Sequence, residues 1–503
     1  MMGRIHRPSG QGARLPELTL RQQPYPLGLA LRCLALLAFT CGMGLIVWLF
    51  CTERLKGWET REYVMAVGGA LLAAGSGGAL WALERRIPAK WLLAGVLAVC
   101  AAIRLVYILV IPTVPETDFA LLYQAARDSA QGDFRWSRVS GGYFYKWAYQ
   151  IPYVLYEAAV IKVIPSMFAL KVLNVIWMTG TAFLVYRIAR RVTPEWAALY
   201  AVFLYAVFPG TFMLSSVLTN QHISMFFLLL GIDLVVSRPG LWGRLLGGVV
   251  LGVGNLMRPE GVIAVLAICC CGVLFLLENP GRKNAASAAA MLGMVLLGYF
   301  GVQKAAEGLL YVLNIAPHGI GNHYPQWKFL LGLDTTTEYG HYSDQDFSAY
   351  LVDDSSRWRL LREYIAQRFS SCEDLPLFFR NKVSAFWTQP DSFAWSMNTL
   401  ESTDAVLPGV TVEGFQRIVG HVQQGMLLMM YVLTLPAAAV LWKRNRSGRM
   451  EDLLMLVILC GIFCVYLLVE VQVRYRYIIV PFLCLLDGVV MGGLFRGRKR
   501  ETE

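Results

Sequence analysis

Long apolar runs separated by short basic loops predict an all-α polytopic membrane protein. Three observations carry that reading. Apolar stretches recur at approximately 27–51, 63–83, 91–112, 167–187, 196–217, 222–236, 241–257, 261–277, 286–312, 421–442, 452–469 and 477–495, which makes about twelve transmembrane helices. Hydrophobic residues make up 56% of the 503 residues and charged residues only 16%, with a mean hydropathy of +0.50; a soluble chain carries about a quarter charged residues. The net charge of +11 gathers in alternate loops, which is the orientation signal of a membrane protein and not a nucleic-acid footprint.

Taken in order, residues 1–26 are polar, basic and rich in turn formers, and read as a disordered cytoplasmic tail. A transmembrane module follows over 27–312. With the N-terminus inside, the inner loops hold Arg85, Arg86 and Lys90; Arg187, Arg190 and Arg191; Arg238 and Arg244; Arg282 and Lys283. Lys443, Arg444, Arg446 and Arg449, and the basic tail 496–503, fall on the same side. Both termini are therefore expected to be cytoplasmic, although Arg54, Lys56 and Arg61 run against the rule in the first hairpin. On the outer face this topology places a polar loop, 113–166, and a long segment, 313–420. The segment 313–420 is rich in aromatic residues and contains the helix-like SSRWRLLREYIAQRF, so it reads as a small extracytoplasmic domain that precedes the C-terminal helices of 421–495. Ten of eleven cysteines lie in apolar segments, and no disulfide framework is expected.

The outer loop carries the candidate chemistry. From Asp118, apolar residues at Phe119, Leu122, Tyr123, Ala126 and Ala130 give a helix one greasy face, expected to lie on the membrane surface. Two carboxylates, Glu116 and Asp118, stand at its start. A carboxylate there can deprotonate a hydroxyl, or it can cap the helix; residue type alone leaves both open. The patch Tyr143–Pro152 joins aromatic rings to Lys146 and Gln150, as a sugar platform or an interfacial belt would. Further polar groups sit at the outer ends of spans: Thr219-Asn220-Gln221-His222, then Arg258 and Glu260 around the helix-breaking Pro259, then Glu470 to Tyr477 with Arg474 and Arg476. Outer-face arginines need a local reason, and both a phosphate and an acidic partner supply one. His318 and His323 in HGIGNH read as turn chemistry, because the intervening glycines disfavour a helix and no third ligand stands out. No metal site is read from the sequence, and a divalent-ion requirement is left open.

In this order, the motifs resemble those of the GT-C superfamily of membrane glycosyltransferases, in the branch of protein O-mannosyltransferases and aminoarabinose transferases. The resemblance runs from about residue 91 to 495. It rests on Glu116-Thr117-Asp118, the aromatic and Gln patch at 143–152, Leu173-Asn174-Val175, FPGTF with TNQH at 208–222, RPEG at 258–261 and RYRYIIVPFL at 474–483. Thr117 separates two acidic residues that are often adjacent in the family, and Trp147-Ala148-Tyr149-Gln150 departs from its usual Tyr-Pro. The resemblance implies that Asp118 is the general base and Glu116 a supporting acid. Lys146, Tyr149, Gln150, Asn220, His222, Arg258, Glu260, Arg474 and Arg476 would bind the donor phosphate and the substrates. It implies a polyprenyl-phosphate sugar as donor, a hexosyl or pentosyl group transferred with inversion, and an extracytoplasmic hydroxyl acceptor on protein, lipid or cell-envelope glycan. The bilayer is the remaining partner, and nucleic acid is not one. Two rivals stand beside it. A lipid-linked sugar transporter would need ionisable residues near the middle of spans, along a pathway; here Asp233 and Asp487 fall toward cytoplasmic halves, Arg104 stands alone within a span, and the rest cluster at the outer face. An O-antigen-type ligase or polymerase would use similar arginines without an acidic base in the first large loop.

Overall fold

The computed structural model describes residues 26–238, 240–343, 356–444 and 450–494. The tail expected to be disordered (Pro26 apart), the basic tail 496–503 and the loop residues Arg446 and Arg449 lie outside them. Three helices open the chain: α1 (Pro26–Leu49), α2 (Thr60–Glu84) and α3 (Ala89–Val110). The loop that follows folds as α4 (Thr117–Ala130), one turn α5 (Tyr143–Lys146) and α6 (Ile151–Val163). Then come α7 (Met167–Val192), α8 (Glu195–Val207), α9 (Pro209–Phe212), α10 (Gln221–Ser237), α11 (Leu241–Met257), α12 (Gly261–Glu278) and α13 (Arg282–Val312). The segment 313–420 contains α14 (Gln326–Gly332), α15 (Arg357–Ser370), α16 (Leu375–Trp387) and a hairpin of β1 (Ala405–Leu407) and β2 (Val410–Thr411). The chain closes with α17 (Val412–Thr434), α18 (Ala437–Arg444), α19 (Met450–Leu468) and α20 (Ile479–Leu494).

Among the described residues, eight helices are long and apolar enough to cross a membrane, or nine if α8 and Pro209–Ser216 are one span bent by 53°. About twelve were expected. The stretches at 196–217, 222–236, 241–257 and 452–469 account for the difference: the first is the bent pair, and the others are the shorter apolar helices Gln221–Ser237, Leu241–Met257 and Leu453–Leu468. A 17-residue helix such as α10 is about 26 Å long, a little less than a hydrocarbon core of about 30 Å.

Small residues set the helix crossings, as they do where lipid offers no hydrophobic drive between helices. A side chain at Gly69 of α2 would strike the Val422 carbonyl of α17, and one at Gly425 would strike Ala66. Gly248 of α11 and Gly298 of α13 meet in the same way. Large apolar side chains on α1, α2, α3 and α13 face outward, while α20 is buried on nearly every side and forms the centre.

Arg104, Asp233 and Asp487, ionisable residues inside spans, hold helices together. Pro209 breaks α8 and has no N–H to give the Tyr205 carbonyl. Arg104 of α3 replaces it, donating to the carbonyls of Tyr205 (3.3 Å) and Ala206 (2.9 Å) and to Thr211 Oγ1 (2.8 Å). Asp233 takes Arg187 (2.9 Å) and Arg191 (3.0 Å), and Asp487 accepts from Thr434 (2.8 Å). In the first hairpin, Arg54 bonds Thr388 at 3.0 Å, while Glu53 pairs with Arg380 at 2.7 Å, so basic residues there meet a protein surface. All eleven cysteines are free.

The outer-loop helix α4 buries Phe119, Leu122, Ala125, Ala126 and Ser129. That face packs along α6, so protein covers much of the face expected to lie on the membrane. In the segment 313–420, Leu361 and Tyr364 of α15 pack on Leu330 and Leu331 of α14. This segment is stitched to the C-terminal helices: the Glu470 N–H donates to the Lys328 carbonyl (3.0 Å) and the Val471 N–H to that of Gly340 (3.1 Å).

Candidate active site

Five breaks in the helical pattern meet around one cavity of about 300 Å³. They are the start of α4, the turn at 143–150, the link into α10, the α11–α12 break at Arg258–Glu260, and the turn at 470–475 before α20; Lys328 of α14 completes the rim. Helix ends leave backbone groups and polar side chains free to face a cleft, and the cavity is of a size that takes small ligands.

Asp118 is on its wall. The residue N-terminal to α4 is Glu116, and no side chain caps that helix, so the capping role does not fall to Thr117 or Asp118. Among the described residues, the Asp118 carboxylate makes no hydrogen bond and no ion pair. Its approach is fixed from both sides. The Thr113 carbonyl accepts from Lys171 Nζ (2.7 Å), Thr113 Oγ1 bonds Ser216 (2.7 Å), and Asn398 bonds the Val114 backbone through its N–H (3.2 Å) and carbonyl (2.7 Å). Thr117 then takes φ +48°, an unusual conformation for a β-branched residue. That strain is held immediately before Asp118.

Opposite stands a continuous network. Gln150 Nε2 donates to the Tyr143 hydroxyl (3.1 Å), Asn220 Nδ2 donates to Gln150 Oε1 (3.3 Å), and Arg258 Nη1 donates to Asn220 Oδ1 (3.2 Å). Arg258 Nε meets Glu260 at 2.5 Å. Burial, with Asp118 next among its causes, holds the Tyr143 phenol well above its ordinary range, so it stays protonated. Gln221 Nε2 bonds the Arg474 carbonyl at 2.9 Å, which ties the link before α10 to the turn before α20. Lys328 pairs with Glu470; burial opposes its charge, but Tyr475 and Glu470 outweigh burial and raise its pKa.

Arg474 is placed differently. Its guanidinium lies over Trp395 (4.5 Å) and Phe119 (5.0 Å), and its Nε donates to Gln472 (2.7 Å). Its Nη1 is buried with no hydrogen-bond partner among the described residues. Among the described residues, three cations line the cavity wall, and of these Arg258 and Lys328 have carboxylate partners and Arg474 has none.

Of the residues expected at the site, Asp118, Tyr149, Gln150, Asn220, Arg258, Glu260 and Arg474 line the cavity. Glu116, Lys146, His222 and Arg476 do not. Glu116 is exposed at the helix start. Lys146 reaches over the Trp327 ring at 5.6 Å. His222 is buried between the Tyr477 hydroxyl (3.1 Å) and the Leu214 carbonyl (2.9 Å). Arg476 is buried against the C-terminal end of α16, donating to the Gln389 carbonyl (2.6 Å) and Asp391 (2.7 Å). Sequence reading missed Lys328 and Tyr342, which only the fold of the segment 313–420 brings to the cavity. It quoted Glu470, Gln472 and Tyr475 beside Arg474 without assigning them a role. His318 and His323 flank the Tyr145 ring, His323 stacked on it at 4.4 Å. Among the described residues, no group of three or more His, Cys, Asp or Glu side chains is placed to hold a metal.

Residues 152–302 match the family described as dolichyl-phosphate-mannose-protein mannosyltransferase, a branch of the GT-C membrane glycosyltransferases, so the resemblance drawn from the motifs is borne out. The matched stretch includes Asn220, Arg258 and Glu260, and excludes Asp118 and Arg474. Among solved structures, the chain is similar to the archaeal oligosaccharyltransferase AglB from Archaeoglobus fulgidus in complex with an inhibitory peptide and a dolichol-phosphate, at 13% identity and TM-score 0.44, over 80% of this chain and 50% of that one. The apo form of the Archaeoglobus fulgidus oligosaccharyltransferase gives 14% identity and TM-score 0.45 over 79% and 50%. The chain thus spans about half the length of these structures. No curated protein matches it.

Proposed function

We propose that this protein is a membrane glycosyltransferase that moves a hexosyl or pentosyl group from a polyprenyl-phosphate sugar to a hydroxyl acceptor at the extracytoplasmic face, both termini being cytoplasmic. One observation carries the reading: among the described residues, a carboxylate with no hydrogen bond or ion pair, Asp118, and a guanidinium with no carboxylate partner, Arg474, share one cavity. The family match over 152–302 supports the class, and the basic loops support the orientation.

The chemistry needs both groups. Asp118 takes the proton of the acceptor hydroxyl, and the acceptor's oxygen forms the new bond to the anomeric carbon. The bond from that carbon to the phosphate oxygen breaks, and its electron pair leaves with the polyprenyl phosphate. The sugar passes through an oxocarbenium-like state. Arg474, with Arg258 beside it, meets the charge that develops on the departing phosphate. One displacement inverts the anomeric centre.

The test uses purified protein in lipid nanodiscs with radiolabelled polyprenyl-phosphate hexoses and pentoses. Wild type is expected to transfer or slowly hydrolyse one of them. Asp118→Asn is expected to bind the donor equally and to turn it over about 10²–10⁴-fold more slowly. Donor that binds both proteins and is never turned over by either would replace this reading with a carrier.

A further inference from the structure

A second cavity, of about 470 Å³, adjoins the first and shares Tyr149, Pro259 and Lys328 with it. Its remaining wall comes from Pro152 of α6, from α11 and α13, and from the loop before α14, and it carries three carboxamides, Asn255, Gln303 and Asn322. Gln303 is locked: its Nε2 donates to the Tyr299 carbonyl (3.0 Å) and its Oε1 accepts from Asn255 Nδ2 (2.8 Å). That bond leaves the Asn255 carbonyl oxygen buried with no partner among the described residues. A buried acceptor without a donor is costly, and a ligand hydroxyl would supply one.

The charges decide what kind of ligand fits. Both cations on this wall are neutralised, Lys304 by Glu307 at 2.6 Å and Lys328 by Glu470. A phosphate would have to displace a carboxylate to gain a cation, whereas the first cavity already offers Arg474. Carboxamides in one cavity with the side chains of Tyr149 and Phe300 suit a polyhydroxylated, uncharged ring, which presents hydroxyls at its edge and C–H bonds on its face.

We propose that the second cavity is a subsite for a neutral sugar, read by the Asn255 carbonyl and the Lys304–Glu307 pair. Its place beside the Asp118 cavity makes that sugar part of the acceptor, an assignment that rests on the transferase reading above; binding itself does not.

The experiment is saturation-transfer NMR on the full chain in nanodiscs with no donor present. The probes are the methyl glycosides of the common neutral hexoses and pentoses, with inorganic phosphate as competitor. At least one glycoside is expected to bind wild type and Asp118→Asn alike, to resist displacement by phosphate, and to bind Asn255→Leu about tenfold more weakly. Lys304→Met, at an exposed position with no role in packing, is expected to weaken it in the same direction with the fold intact. Binding of no glycoside, displacement by phosphate, or wild-type affinity in both variants overturns the subsite. Failure of the transferase reading appears separately, as unchanged donor turnover in Asp118→Asn with glycoside binding preserved.

Discussion

Arg474 and Arg476 are two residues apart on the same 3-10 turn, Val473–Ile478, and they do opposite work. Arg476 points into protein. Its two terminal nitrogens bond the carbonyls at the end of α16 and the Asp391 carboxylate, so it caps a helix and closes a buried ion pair. Gln423 bonds the second oxygen of Asp391, and a side chain at Gly210 would collide with that oxygen. Arg474 points into the cavity, on two aromatic faces, with Nη1 unbonded among the described residues. Arg104 belongs with Arg476 and Arg258 stands between the two kinds, because Glu260 and Asn220 hold it while it still lines the cavity. Residue type and exposure of a loop do not separate a functional arginine from a structural one; among the described residues the terminal nitrogens do, both being bonded in Arg104 and Arg476 and Nη1 being unbonded in Arg474, while the Nε of Arg104 and of Arg476 is also without a partner.

The largest test of that comparison exchanges the two arginines' fates. Arg476→Met removes one member of a buried pair and leaves Asp391 uncompensated, a loss of about 3–5 kcal/mol; the variant is expected to melt well below wild type or to fail to accumulate. Arg474→Met is expected to melt with wild type and to lose about 10²–10³ in turnover. Thermal unfolding in detergent and donor turnover, measured on both variants, check the pair together. A stable Arg476→Met with impaired turnover would move Arg476 into the machinery.

The same distinction marks how far the sequence could be read. Apolar run length gave the helical class, and the charge pattern gave an expected topology, because both are properties of composition along the chain. The break at Pro259 placed Arg258 and Glu260 at a helix junction, since proline states its own constraint. Asp118 and Arg474 were legible as polar residues at the ends of apolar segments. His222 and Arg476 looked the same by that criterion, and only three-dimensional packing shows that Leu214 and Tyr477 fill one and α16 and Asp391 the other. Lys328 had no signal at all, because its place depends on how the segment 313–342 pairs with 468–472. The span count was too high for a related reason: hydropathy does not see that Pro209 bends one segment, or that Leu453–Leu468 is a shorter apolar helix.

The core side of the comparison holds a cation of a third kind. Lys382 of α16 is buried, and among the described residues its Nζ hydrogen-bonds the Gly332 carbonyl alone. Burial pushes its pKa down from 10.5 to about 7, with Glu470 opposing the shift. Below about 7 both the folded and the unfolded chain hold this proton, and above 10.5 neither does. Between those values the unfolded chain binds it and the folded chain does not, so stability rises with pH, by up to about 1.4 kcal/mol per unit. Lys382→Met is expected to flatten that slope in unfolding measurements from pH about 7.5 to 9.5. An unchanged slope would mean that Lys382 keeps its proton in the folded chain.

The smallest expected effect tests the intermediate case, Arg258. Asn220 accepts from Arg258 Nη1 (3.2 Å) and donates to the Met257 carbonyl (3.0 Å) and to Gln150 (3.3 Å). On the proposed reading it is a positioning residue, acting on the donor phosphate through Arg258. Asn220→Ala removes the acceptor and leaves the guanidinium held by Glu260 alone, with an expected loss of about tenfold in kcat/KM, equivalent to one charged hydrogen bond of about 1.5 kcal/mol. Asn220→Asp restores an acceptor for Arg258 and not the donor to Met257, so it is expected to recover turnover while remaining less stable than wild type. If Asn220→Asp and Asn220→Ala were equally slow, the donor bonds to Met257 and Gln150 would be the ones that matter, and Arg258 would join Arg476 among the residues that hold helices together.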